Sequence, residues 1–150
     1  MPSHPILQQW ERVRQGTLVT LGLFQEDELG FSPAPGLRSI REIALHIAHE
    51  EAIEILHGAA RTLADLPQAY SAGDYPTAAS VRALLEGVHA RSLEYLGELD
   101  GAALHRPIEL ASGEMSNPLN VILHLIEHEV HHRGELSLAL GILGRNGFDA

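Results

Sequence analysis

NPLNVILHLIEHEVHHRGELSLALGILG, residues 117–144, carries the start, the face and the stop of one long helix. Asn117 is an N-cap residue and Pro118 occupies the first helical position, where its fixed φ helps and its missing N–H costs nothing. Gly141 or Gly144 marks the end. Between them Val121, Leu125, Leu136, Ala139 and Leu140 recur at steps that put them on one face of a helix advancing about 100° per residue. His128 and His132 fall on that same face, four residues apart, so one ring stands above the other. His124, His131 and Glu135 lie on its flank. A buried polar ring without a partner costs a few kcal/mol, so two imidazoles in a leucine and valine stripe call for a common partner. The i, i+4 spacing is the one by which a single helix offers two nitrogens to one metal ion.

Three further helical segments lie upstream, separated by Gly- and Pro-bearing breaks near residues 30–36, 66–76 and 100–116. From Pro5 to Leu29 the stripe is Ile6, Trp10, Val13, Thr17, Leu21 and Phe24, with Trp10 read as packing. Ser39 followed by Glu42 forms a capping box, opening a helix that runs to about Ala64 with Ile40, Ile43, Ala44 and Ile47 on its apolar edge. Thr77 caps the next, whose stripe includes Val81, Leu85, Val88, Leu96 and Leu99. The pattern predicts four helices of about 23–27 residues and a small β-ribbon from HRPIEL (105–110) turning at Gly113. The expected architecture is a single all-α domain over residues 1–150, an antiparallel four-helix bundle around one core.

The second helix supplies the missing partner. His46 lies beside its apolar edge, while His49 projects to the other side of the wheel and stays open as the alternative. His46 stands seven residues after Ser39 and His132 nine before Gly141, so antiparallel packing of these helices brings the two to similar height. His46, His128 and His132 are thus the candidate metal ligands. Three protein ligands leave a position open for water or substrate, as at catalytic rather than structural metals. Glu50, one turn past His46, is a candidate fourth ligand, general base or partner of a ligand. Glu129 is read as an acceptor for a histidine N–H or as a partner of Arg133.

Composition narrows the function. The chain has 150 residues, 45% of them hydrophobic, with mean hydropathy near zero, enough material for a real core rather than a disordered chain. Twenty acidic residues oppose ten basic ones, all arginine, for a net charge of −10, which argues against a phosphate-gripping basic face and so against direct nucleic-acid binding. No stretch has the length of a membrane span and the N-terminus lacks a leader pattern, so the expectation is a soluble cytoplasmic protein. With no cysteine, any metal is held by nitrogen and oxygen. Three imidazoles suit zinc, nickel or iron.

LHIAHEE in the second segment, EHEVHHRGEL with the HxxHHRG run at 128–134, and the closing LGILG resemble the DinB/YfiT-like superfamily of metal-binding bundles over nearly the whole chain. The resemblance implies an up-down-down-up bundle, often a homodimer, with one divalent ion on His46, His128 and His132. It also implies a metal-dependent S-transferase using a low-molecular-weight thiol as cosubstrate, or a related hydrolase or isomerase acting on a small molecule. Glu135 stands where HRGQ is the commoner ending. The absence of cysteine agrees with a sulfur nucleophile that arrives with the cosubstrate. Leu18, Val19 and Leu23 are the candidate dimer surface, and metal retention is expected to weaken as pH falls and the ligands protonate.

Two other readings follow from the same residues. Glu-x-x-His occurs at Glu54/His57, Glu86/His89 and Glu129/His132, as in di-iron bundles, but the first helix has no inward carboxylate to close such a box. The alternative in a different class is a non-catalytic metal-binding or stress-response bundle, structural or interacting rather than enzymatic.

Overall fold

The computed structural model describes residues 4–146. Four long helices are present: α1 (Pro5–Leu21), α2 (Ile40–Glu51), α3 (Ala78–Gly97) and, after the single turn α4 (Gly101–Leu104), α5 (Pro118–Ile142). Beyond Glu51 the second helix continues as a wider π-helical coil over Ala52–Ala59.

The local start signals act as their chemistry dictates. Ser39 accepts from the Glu42 amide while the Glu42 side chain reaches back to the Ser39 amide, at 3.2 and 3.3 Å. Thr77 accepts from Ser80 N, and Asn117 from Asn120 N with Pro118 behind it. The stops differ from expectation. Helix α1 ends at Leu21 rather than near Leu29, because the chain tightens at Gly22 and re-forms as a short 3₁₀ turn over Glu26–Glu28. The second helix ends at Ala59 rather than Ala64, where Arg61 turns into the left-handed region at φ 54°. Only α5, at 25 residues, reaches the expected length. The ribbon forms as β1 (Ile108–Glu109) against antiparallel β2 (Met115–Ser116), with Gly113 at φ +86° supplying the turn geometry that a Cβ disfavours.

Side-chain pairs set the helix directions. Trp10 and Arg14 meet Glu129, and Arg145 reaches Leu23, so residue numbers climb together along α1 and α5: these two run parallel. Glu51 meets His89 and Ala59 meets Tyr95, so α2 and α3 are also parallel. Arg14 on Leu85 and Glu26 on Ala78 make α1 and α3 antiparallel, as His46 on His128 does for α2 and α5 together with Ile43 and Leu138 beside one cavity. The order is up-down-down-up. Parallel neighbours cannot be joined by a short turn, and residues 60–77 accordingly return along the bundle before α3 begins.

The core is one cluster drawn from all four long helices, including Trp10, Ile47, Ile55, Leu85, Ile122, Leu125 and Leu140. Leu18, expected on a pairing surface, belongs to it instead: α1 packs on both α3 and α5, so its buried arc is wider than one stripe. Val19 and Leu23 remain exposed, at 50% and 41%. Among the described residues no helix is long and apolar enough to cross a membrane.

Candidate metal centre

His46 from α2 and His128 and His132 from α5 turn their Nε2 atoms toward one point. His128 Nε2 lies 3.0 Å from His46 Nε2 and 3.2 Å from His132 Nε2. The placement follows from local structure. Four residues make about one turn, which stacks 128 over 132, and antiparallel packing brings His46 across from them. His132 is buried; His46 and His128 are partly buried.

His132 Nδ1–H donates to Glu135 Oε2 at 2.9 Å. That bond places a proton on Nδ1 and turns Nε2 toward the other two rings. A proton on His128 Nε2 can serve only one of its two neighbours, whereas a cation serves all three nitrogens at once. Two nitrogens about 2.0–2.1 Å from one ion, at angles between octahedral and tetrahedral, stand about 2.8–3.4 Å apart. The observed separations of 3.0 and 3.2 Å fall in that range, and the donor set fits a divalent transition ion.

The electrostatics keep His46 and His128 neutral. Burial, then the Arg38 charge and the neighbouring histidines, pushes His46 down to about 4. Burial followed by His132, His46 and His124 pushes His128 to about 3. A neutral imidazole is the form that binds metal. Glu135 is held below the ordinary carboxylate range: burial opposes this, but the His132 hydrogen bond and the charges of His132, His131 and Arg38 prevail. His131, largely exposed, sits 3.3 Å from Glu135 Oε1, making Glu135 a bridge between the two histidines.

The other sequence candidates lie elsewhere. His49 donates from Nε2 to Pro67 O at 2.8 Å, so His46 and not His49 meets the α5 pair. His57 donates to Leu63 O at 3.0 Å. Glu50 is partly buried and stands outside the cluster of converging donor atoms, with its charge acting on Glu54. Glu86 is exposed and paired to Arg82, so the di-iron box does not form.

Glu129 contradicts expectation. Its partners are Arg14 and Trp10 of α1 rather than a histidine N–H: Arg14 Nε and Nη2 donate to it at 2.8 and 3.0 Å, and Trp10 Nε1 at 3.2 Å. Arg14 also donates to Glu51 Oε2 at 2.7 Å and to Leu85 O at 2.9 Å, and His89 Nδ1–H donates to Glu51 Oε1 at 3.0 Å. His89 Nε2 lies 3.2 Å from Glu11 Oε2, at ion-pair distance but outside hydrogen-bond geometry. This buried polar group was not anticipated. The one trace in the sequence is that Arg14 follows Val13 on the edge of the α1 stripe.

Two cavities open near the cluster, the smaller lined by His46 and the larger by Glu135, the acceptor of the His132 ring. The larger, about 460 Å³, lies between the loop before α2 and the α5 residues Glu135 and Leu138. The smaller, about 170 Å³, is bounded by His46, His49 and Tyr70. Arg38 lines both.

The family model of the DinB superfamily matches residues 9–136. Among solved structures, a DinB-like protein from Bacillus cereus ATCC 10987 is 22% identical, with a TM-score of 0.77 over 97% of this chain and 94% of that one. A DinB-like protein from Bacillus subtilis is 20% identical, with a TM-score of 0.74 over 98% and 97%. At this identity the likeness speaks for the fold. The comparison with curated proteins finds no match.

Proposed function

The chain belongs to the DinB superfamily, and from that premise we propose that it is a metal-dependent enzyme with His46, His128 and His132 as ligands. The reaction proposed is transfer of a low-molecular-weight thiol onto a small electrophile, or the related hydrolysis or isomerisation. The convergence of three Nε2 atoms beside the open cavity that His46 lines carries this reading. When bound, a divalent ion (zinc, nickel or iron) supplies Lewis acidity that lowers the pKa of a thiol or water at an open position.

The protein's own residues do the rest. Glu135 fixes the His132 tautomer and ring plane, the role a carboxylate plays behind a metal-binding imidazole. Burial keeps His46 and His128 free of competing protons near neutrality. Glu50, one turn beyond His46, is the proposed proton acceptor. The smaller cavity, lined by His46, is the proposed entry to the centre, where holding nucleophile and electrophile together is how proximity accelerates a two-substrate reaction. A homodimer, paired through Val19 and Leu23, is part of the same proposal.

The test is turnover of the metal-loaded protein with a panel of thiols against an alkylating model electrophile, beside His128→Ala. The variant is expected to lose turnover while keeping its helical circular dichroism. Loss of folding together with the metal, and no turnover in the parent, would favour the structural alternative instead.

A further inference from the structure

Arg38 is placed where a site residue would be, yet holds none of the three imidazoles. It lines both cavities, and its charge acts on His46 and on Glu135. The side chain is exposed and makes no ion pair within 4 Å among the described residues. In a chain of net charge −10, Arg38 is the cation in both linings, with Glu135 as the acid of the larger cavity and Glu42 of the smaller.

The walls of the larger cavity are of another kind. Leu37 and Leu138, 58% and 64% exposed, face it with Pro33 and the buried Ile43. Two large apolar side chains left open to solvent on either side of one cavity are accounted for if a ligand covers them. Glu135 is the acid in this wall, and its Oε2 accepts from His132.

We infer that the larger cavity binds an organic anion, a carboxylate on an apolar body, with the guanidinium of Arg38 taking the carboxylate and Leu37, Ile43 and Leu138 covering the body. This rests on the proposed function only in assigning the bound molecule as substrate; the binding itself is independent of metal. A guanidinium offers paired N–H donors to a carboxylate, and charge-assisted bonds of this type are stronger than neutral ones. Loss of the anion, or of Arg38, is expected to weaken binding by about tenfold.

The experiment titrates 4-phenylbutyrate and its uncharged analogue 4-phenylbutanamide into the full chain, followed by amide NMR shifts and calorimetry. The acid is expected to perturb signals of residues 33–38 and 135–138 and to bind about tenfold tighter than the amide. Arg38→Gln should erase that preference, Arg38→Lys keep part of it, and Leu138→Trp weaken both ligands by filling the lobe. Both positions are exposed in the parent, so helical content is checked but expected unchanged. The acid preference should persist in His128→Ala, which separates it from a carboxylate held by metal. Equal binding of acid and amide, shifts elsewhere, no binding at millimolar ligand, or a preference that survives Arg38→Gln but vanishes in His128→Ala would overturn the inference. Each of those leaves the metal reading standing, and failure of metal loading leaves the Arg38 preference standing.

Discussion

Arg14 on α1 and Glu129 on α5 face each other in a two-point ion pair, Nε to Oε1 at 2.8 Å and Nη2 to Oε2 at 3.0 Å, with both side chains almost wholly removed from solvent. Glu129 directly follows the candidate ligand His128. The same guanidinium takes Glu51 of α2 and the Leu85 carbonyl of α3, so one side chain touches all four long helices. Removing it leaves two carboxylates buried without their cation. Arg14→Leu is therefore expected to destabilise the fold by about 3–5 kcal/mol, the range for breaking a buried pair from one side. Urea unfolding of the variant checks this, and a loss below about 1 kcal/mol would show that the group is not held as described.

The same cluster gives a pH dependence. Glu51 faces Arg14 from α1 and His89 and Ser92 from α3, with Glu129 of α5 across the shared guanidinium. Burial alone would raise its carboxyl, but Arg14, then His89 and Ser92, bring it from 4.5 to about 2. A carboxyl with a depressed folded value stabilises the fold fully above its unfolded value and loses that contribution as pH falls through the folded one. Glu51→Gln should thus be less stable than the parent at pH 7, with the gap closing between about pH 4.5 and 2. Thermal melts of both proteins across that span provide the comparison, and a constant gap would be the contrary result.

Metal binding should follow the three rings and no others. His46→Ala, His128→Ala and His132→Ala are each expected to lose stoichiometric metal after dialysis against a divalent ion, as read by elemental analysis. His49→Ala and His57→Ala, whose rings donate to backbone carbonyls, are expected to retain it. Full loading of His128→Ala would end the assignment.

Glu135 tests the support behind the site. Glu135→Ala removes the acceptor that fixes His132, with an expected loss of 10–100-fold in metal affinity. Glu135→Gln keeps an oxygen acceptor without the charge and should fall between parent and alanine. Competition with a chelator of known affinity measures all three, and indistinguishable affinities would remove Glu135 from the site.

Much of this was legible because it is local. The caps at Ser39, Thr77 and Asn117 are satisfied within three residues, so the sequence carries donor and acceptor together. The ring pair at 128 and 132 needed only helical period, and His46 only the height of two antiparallel helices. Arg14, Glu51 and His89 were illegible for the opposite reason. Their partners lie 37 to 115 residues away on other helices, and a charged residue one step off an apolar stripe looks the same in sequence whether it is solvated or buried. Glu50 and Glu51 illustrate this. The carboxylate that enters the core is the second, set by which side of α2 meets α1 and α3, and no property of the pair itself distinguishes them.

The return segment 60–77 owes its length to two helices pointing the same way, yet it also furnishes Ala69 and Tyr70 to the smaller cavity and receives the His49 bond at Pro67. The rods that fix the rings and the strap that shapes one entrance are thus separate stretches of chain. A lineage with this topology can lengthen, shorten or re-letter the strap and so retune which molecules are admitted, while the histidine-bearing rods stay as they are.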